Sequence, residues 1–410
     1  MYHATLPPVQ FEPYTAAFAA DPYPVYAELR ERSPVFHSDE FGMTLLTRYH
    51  DIFTALTDRR LGRAMPVAAA ADASSGSSAA RFPELPAYQR YVRVNLLETE
   101  GETHARLRRL LARALSPKRI AGLRTRVQQI AGGLVEQLTP GAEVDFISAV
   151  AEPLPVITIS ELLGWPLTER HRLRPWSANI VRLYEKDATQ EDALRAETAC
   201  SEFAAMLEAL AAERKASPAD DLISALAALE DEADGLSRVE LISSCMLLLN
   251  AGHEATVNAA GNGLLALLRH PQAMQRLRGE PRLADSAVEE MLRYDPPLHL
   301  FHRFAYEELL IGGQVIPPGG TVGLLYGSAN RDPDMFAEPD GFDIARHPNR
   351  HLSFGAATHF CLGAPLARLE LRTLFSTLLA HTPRIELCDP KPEYHRGLVF
   401  RGLKRLLIRT

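Results

Sequence analysis

The run His351-Leu352-Ser353-Phe354-Gly355-Ala356-Ala357-Thr358-His359-Phe360-Cys361-Leu362-Gly363-Ala364-Pro365 governs how the rest of the chain is read. It sets one thiol, Cys361, in a glycine-flanked turn leading into a helix-forming stretch, residues 366–380. The first backbone N–H groups of such a helix, with the positive end of its dipole, point back toward the sulfur. That setting favours thiolate over thiol and makes the sulfur a good ligand for an iron. Phe354 adds an apolar cover that keeps water off it. Cys200, Cys245 and Cys388 have no histidine or second cysteine at metal-ligand spacing and read as small buried hydrophobes.

The chain has 410 residues, 46% hydrophobic and 23% charged, with four cysteines and a formal charge of −7. Such a length and balance suit a globular protein with a large core. Four cysteines offer no disulfide framework, which fits a reducing compartment. Residues 1–15 lack the apolar stretch of a signal peptide, and no apolar run reaches the length of a membrane span. The expectation is a soluble cytoplasmic protein with no membrane partner. The negative net charge argues against nucleic acid as a partner.

Helical patterns are expected over residues 23–32, 104–115, 119–137, 154–163, 191–215, 237–268 and 282–294. Strand signals lie at 43–47, 309–315, 321–325 and 398–408. Residues 64–86, rich in alanine, serine and glycine, read as a surface loop. No repeat or long linker divides the chain. The expectation is one domain over 1–410, a mainly α body with a small β-rich region.

Three more segments carry chemistry. In Glu102-Thr103-His104-Ala105-Arg106-Leu107-Arg108-Arg109, His104 and Arg108 stand four apart on one helix face. Glu290-Met291-Leu292-Arg293 sets an acid and an arginine three apart, as an ion pair on a helix requires. Leu247-Leu248-Leu249-Asn250-Ala251-Gly252-His253-Glu254-Ala255-Thr256 puts a glycine inside a helix, at a cost of about 1 kcal/mol relative to alanine. With the Cys361 run, these segments resemble the cytochrome P450 family in its soluble bacterial branch, over nearly the whole chain.

The resemblance implies the P450 fold and a haem b with a thiolate ligand. The haem would lie between the oxygen-handling helix and the cysteine loop, with Cys361 on its iron. Phe354, Gly355, Gly363 and Ala251 would border the haem, and His104, Arg108, Arg303 and His351 would hold its propionates. Glu290 and Arg293 would lock their helix to the segment before the cysteine loop. Bacterial members often supply a third partner, an arginine, where this chain has Gly341; Arg346 is the candidate substitute. The implied activity is a monooxygenase that hydroxylates or epoxidises an apolar organic molecule of small to medium size. Electrons would come from a ferredoxin or flavodoxin with its reductase. Arg106, Arg109, Arg113, Lys118 and Arg119 would offer the carrier a basic patch on a monomeric enzyme.

Two departures from the family pattern bear on mechanism. Glu254 matches the acid that passes protons inward, but the next residue, usually threonine, is Ala255. Thr256 does not replace it, because one helical step turns a side chain by about 100°. Among these catalytic candidates (Glu254, Ala255, Thr256) the missing hydroxyl points to proton delivery through an ordered water or a hydroxyl of the substrate. The second departure is Ala357, where glycine is usual; a positive φ there would cost alanine roughly 1 kcal/mol.

Substrate contacts are expected from residues 64–97, 177–184, 248–255, 298–301 and 398–400, with Leu248, Leu298, His299, Leu300 and Val399 as lining and Asn179 as a polar group. Two alternatives stand beside this reading. One is a peroxide-driven haem-thiolate enzyme, whose usual arginine-proline pair is absent from the oxygen helix. The other is a non-catalytic haem-binding or recruiting module, against which the joint presence of Glu254, Glu290, Arg293 and Cys361 weighs.

Overall fold

The computed structural model describes residues 9–65 and 82–410, so most of the expected loop at 64–86 lies outside the described residues. In chain order the elements that position the site begin with α1 (Tyr23–Arg32), β1 (Val35–Ser38), β2 (Met43–Leu46), β3 (Leu61–Gly62), α2 (Pro86–Val92) and α3 (Gly101–Ala114). They continue with α4 (Leu173–Val181), α5 (Gln190–Ala216), α6 (Arg238–Arg269), α7 (Ala284–Tyr294), β4 (Leu300–Ala305), β5 (Thr321–Leu325) and α8 (Ala364–His381).

Helix α6 is the axis of the molecule. Its 32 residues span about 48 Å. Ser237 and Glu240 start it with a reciprocal capping box, which satisfies two of the N–H groups a helix start leaves unpaired. Leu241, Leu249, Leu264 and Leu267 are fully buried, each stabilising the fold by about 2 kcal/mol. Beyond Thr256 nearly every residue of α6 is buried, as befits a helix packed on all sides. Before Thr256 the helix opens, with Ala251 exposed and Gly252, Glu254 and Ala255 half-buried. The helix stays α-helical through Gly252 without a change of pitch.

The β region is a five-stranded sheet in the order β1-β2-β5-β4-β3. Strands β2 and β5 pair in parallel, Thr44 opposite Val322, and the other pairs are antiparallel. Strand β4 was not among the expected strands: its sequence, Leu300-Phe301-His302-Arg303-Phe304-Ala305, interleaves polar and aromatic side chains without the expected alternation. The expected long strand at 398–408 is a short one, Leu407–Arg409, preceded by an irregular strip bridged to Leu298 at Phe400. Residues 119–137 form two helices instead of one, Pro117–Gly122 and Arg124–Glu136.

A buried ion pair fixes the segment that leads to the cysteine loop. Glu290 and Arg293 on α7 are both fully buried and joined by two bonds of 2.7 Å. Arg293 also donates to the carbonyls of Asn330, Pro339 and Gly341, at 3.0, 2.7 and 2.7 Å. Arg346 is the third partner, its Nε lying 3.1 and 3.2 Å from the two Glu290 oxygens. Asn349 and the Asp343 N–H complete the carboxylate's shell. With every lone pair and N–H matched, the desolvation of two charges is offset.

Arg293→Ala leaves the Glu290 carboxylate buried beside only its secondary partners, and should cost about 3–5 kcal/mol. Arg346→Ala keeps the bidentate pair and should cost about 2 kcal/mol. Denaturant unfolding of both variants checks the order; equal losses would mean that the two arginines share the charge evenly.

Candidate functional site

The cysteine loop is built by local hydrogen bonding. The Cys361 N–H donates to the Phe354 carbonyl at 2.9 Å, and the Gly355 N–H to that of Leu352 at 2.8 Å. Gly355 has φ +67° and Ala357 has φ +55°. The first is free for glycine and the second strains alanine, as its position in the sequence predicts. Helix α8 begins three residues after the cysteine, with Pro365 in its first turn.

The sulfur receives the backbone N–H groups of Gly363 and Ala364, and Arg108 and Arg368 lie close enough to favour its charge. Burial outweighs all four and pushes the Cys361 thiol above the ordinary thiol range. The expectation that the turn favours thiolate holds for the direction of the two amides, which lower the cost of charge on the sulfur without offsetting its burial.

Beside this loop α3 brings in His104 and Arg108. Arg108 donates to the Phe360 carbonyl at 2.8 Å. His104 is buried, and its Nε2 has no partner among the described residues. Burial holds it neutral, its pKa lowered to about 4. Its ring centroid lies 4.3 Å from that of His359, whose Nε2 meets Glu100 at 2.7 Å. From β4, Arg303 is buried and donates to the carbonyl of its neighbour His302 at 3.0 Å. Sequence reasoning missed His359, Glu100 and Arg63. His359 stands two residues before Cys361 and could have been read from the quoted run. Arg63 is recognisable only in space: it bonds Glu98 at 2.6 Å and lies 4.5 Å from the Phe301 ring centroid.

His351 departs from its expected role. Its Nε2 lies 3.1 Å from Glu289 and its Nδ1 accepts the Ser353 N–H at 3.3 Å, so both nitrogens are engaged by protein. Glu289 is held in turn by Arg368 through two bonds of 2.7 Å. The guanidinium lies 4.5 Å from the Phe354 ring, so Phe354 is packed from outside as well as from the core.

On α6, Ala251 is exposed, Gly252 and Ala255 are half-buried and Thr256 is buried. A Cβ on Gly252 would meet nothing within 4 Å, so the packing of the chain on itself does not demand a glycine there. Glu254 is half-buried and its pKa is raised by burial, with Arg174 opposing and Glu152 adding to the shift. Arg174 and Glu152 form an ion pair. His253 is buried, neutral and without a ring partner among the described residues.

Leu248, Leu298 and Val399 are half-buried, as lining residues can be. His299 and Leu300 correct the expected lining. His299 bonds the Tyr26 hydroxyl at 3.0 Å and fits so tightly over Gly327 that a Cβ there would meet its ring at 2.7 Å. Leu300 packs in the cluster of Phe18, Tyr26, Met43 and Leu45. Asn179 lines an outer groove of about 400 Å³ between α4 and α5, with Trp176 and Leu194. The expected basic patch is largely neutralised. Arg109 meets Asp234 at 2.5 Å, Arg113 meets Glu232 at 2.8 Å, and Arg106 is paired with Glu240. Those acids belong to the stretch before α6 and to its first turn, which sequence adjacency on α3 could not reveal.

A haem fits these residues. It needs a sulfur for its iron and cationic or hydrogen-bonding groups for two buried carboxylates. His104, with its Nε2 unpartnered among the described residues, Arg108 and Arg303 are the groups that would meet that second need.

The comparisons agree with that chemistry. The model of the family Cytochrome P450 matches residues 183–401. The P450 monooxygenase PikC of Streptomyces venezuelae is 38% identical over 96% of this chain and 92% of its own length. The 6-deoxyerythronolide B hydroxylase of Saccharopolyspora erythraea is 36% identical over 96% and 97%. Among solved structures, P450BioI in complex with an acyl carrier protein bearing hexadec-9Z-enoic acid superposes with a TM-score of 0.89 at 32% identity, covering 97% of this chain and all of that one. Among the described residues no helix is long and apolar enough to cross a membrane. The chain belongs to the cytochrome P450 family, a haem-thiolate monooxygenase.

Proposed function

We propose that Cys361 is the sulfur ligand of the haem iron and that the enzyme inserts oxygen into a largely apolar substrate of medium size bearing hydroxyl groups. One observation carries this reading: beside the loop whose sulfur receives two helix-terminal N–H groups, α3 places a buried imidazole, His104, whose Nε2 has no hydrogen-bond partner among the described residues. His104, Arg108 and Arg303 hold the propionates by charge-assisted hydrogen bonds. When bound, the haem supplies the activation of dioxygen, which protein side chains cannot perform.

The chain's own residues manage protons and water. Glu254, kept closer to neutrality by burial, can hold a proton and release it inward. The Arg174–Glu152 pair behind it leads toward solvent, Arg174 being exposed. Ala255 offers no hydroxyl at the next step, and Thr256 is buried in the core. A hydroxyl of the substrate or a water it orients completes the path. The names of the relatives support a polyketide-like substrate. One is a 6-deoxyerythronolide B hydroxylase and another, PksS of Bacillus subtilis, serves polyketide biosynthesis. Electrons arrive from a ferredoxin or flavodoxin with its reductase. Phe360, 39% exposed next to Cys361, provides an apolar contact for the carrier.

Two measurements test this account. With a hydroxylated macrolactone, product formed per reductant consumed should fall at least tenfold in the analogue lacking the hydroxyl nearest the oxidised carbon. Ala255→Thr should restore it; equal coupling with both compounds in the native enzyme would remove the substrate from the proton path. Ala357→Gly should relieve the strained φ and stabilise the haem-loaded enzyme by up to about 1 kcal/mol, read as a higher Tm. An unchanged or lower Tm would mean that the loop does not keep Ala357 in that conformation.

A further inference from the structure

One carboxylate ties two walls of the substrate region together. Helix α4 continues in a short 3₁₀ turn, Arg182–Tyr184, and the chain then leaves extended at Glu185, with φ −81° and ψ 140°. Glu185 is 8% exposed, an unusual depth for a glutamate at a helix end. Its Oε2 accepts the Leu398 N–H at 3.2 Å, and its Oε1 accepts those of Val399 and Phe400 at 3.1 and 3.2 Å. Three consecutive backbone donors thus converge on one side chain. Burial raises its pKa, and these three N–H groups are the main opposing influence.

The turn it grips is irregular and needs an external hold. Its opposite edge is fastened to the segment after α7: the His299 N–H donates to the Val399 carbonyl and the Arg401 N–H to that of Pro297, both at 2.9 Å. Beyond it, Asn262 of α6 donates to the Arg401 carbonyl at 3.0 Å, and Gly402 lies directly on Asn258, one turn past Glu254. Val399 and Phe400 therefore stand beside the oxygen helix, half-buried, with the Tyr184 ring 6.5 Å from that of Phe400. Gly397 records the same contact in the sequence. A Cβ there would meet the Glu185 Oε1 at 2.7 Å, so the carboxylate reaches this turn only past a glycine.

We propose that Glu185 is a positioning residue for the substrate: by gripping the 398–400 backbone from the end of α4, it fixes the wall formed by Val399 and Phe400 beside α6. This inference rests on the haem site proposed above. A fixed wall decides how a bulky ligand lies over the iron, whereas a small one that never reaches it is indifferent.

The test uses two azoles on the purified ferric holoenzyme, imidazole and 4-phenylimidazole, followed by their shift of the Soret band. In Glu185→Ala, 4-phenylimidazole should bind at least fivefold more weakly, with imidazole unchanged within twofold. Gly397→Ala should reproduce that selectivity, and Glu185→Gln, which keeps a carbonyl at one oxygen, should fall between. Unchanged binding of 4-phenylimidazole, or equal losses for both azoles, would overturn the proposal. So would loss of haem in all three variants, because Glu185 would then support the core. The native carbon monoxide spectrum is recorded first. A native enzyme without the red-shifted thiolate band overturns the haem reading and this inference with it, whereas a normal band beside unaltered azole selectivity overturns this inference alone.

Discussion

A half-buried sulfur that has to carry negative charge against the cost of its burial is the constraint on which the site depends. Burial raises the Cys361 thiol, and only two amide N–H groups and two arginines oppose it. Those contributions lower the cost of the anion without meeting it, which leaves room for a metal to set the charge. Gly363 and Ala364, at the start of α8, supply the two amides.

Much of the remaining structure keeps this loop in place. The Glu290–Arg293–Arg346 cluster pins the preceding meander through backbone carbonyls, so it specifies a path for the chain as well as contributing to stability. Arg368 joins α8 to α7 through Glu289 while covering Phe354 of the loop. A left-handed Ala357 shows that the loop conformation is imposed by its surroundings, since the residue's own preference opposes it. Helix α6 contributes small residues at Ala251, Gly252 and Ala255, none of them fully buried.

What was legible in the sequence follows from how local each feature is. Two helices were readable almost to the residue: 23–32 was expected and Tyr23–Arg32 is found, 237–268 was expected and Arg238–Arg269 is found. The Cys361 turn, the Glu290–Arg293 pair and the positive φ of Ala357 are also local, and motif or spacing announces them. Strand β4 was not readable, because its polar and aromatic residues follow no strand alternation. His299 looked like a polar lining group by position, yet Tyr26, 273 residues away, takes its ring. Arg106, Arg109 and Arg113 looked like a free basic row until the fold brought Glu240, Asp234 and Glu232 onto them. Charges and polar groups are read poorly from sequence because their partners are set by tertiary structure.

The most direct measurement of the central claim is the carbon monoxide difference spectrum of the reduced protein, native and Cys361→His. The account predicts the red-shifted thiolate band in the native enzyme, and its replacement by a histidine-type band in the variant with haem still bound. A native spectrum already of the histidine type, or a thiolate band that survives Cys361→His, would contradict the assignment of Cys361 to the iron.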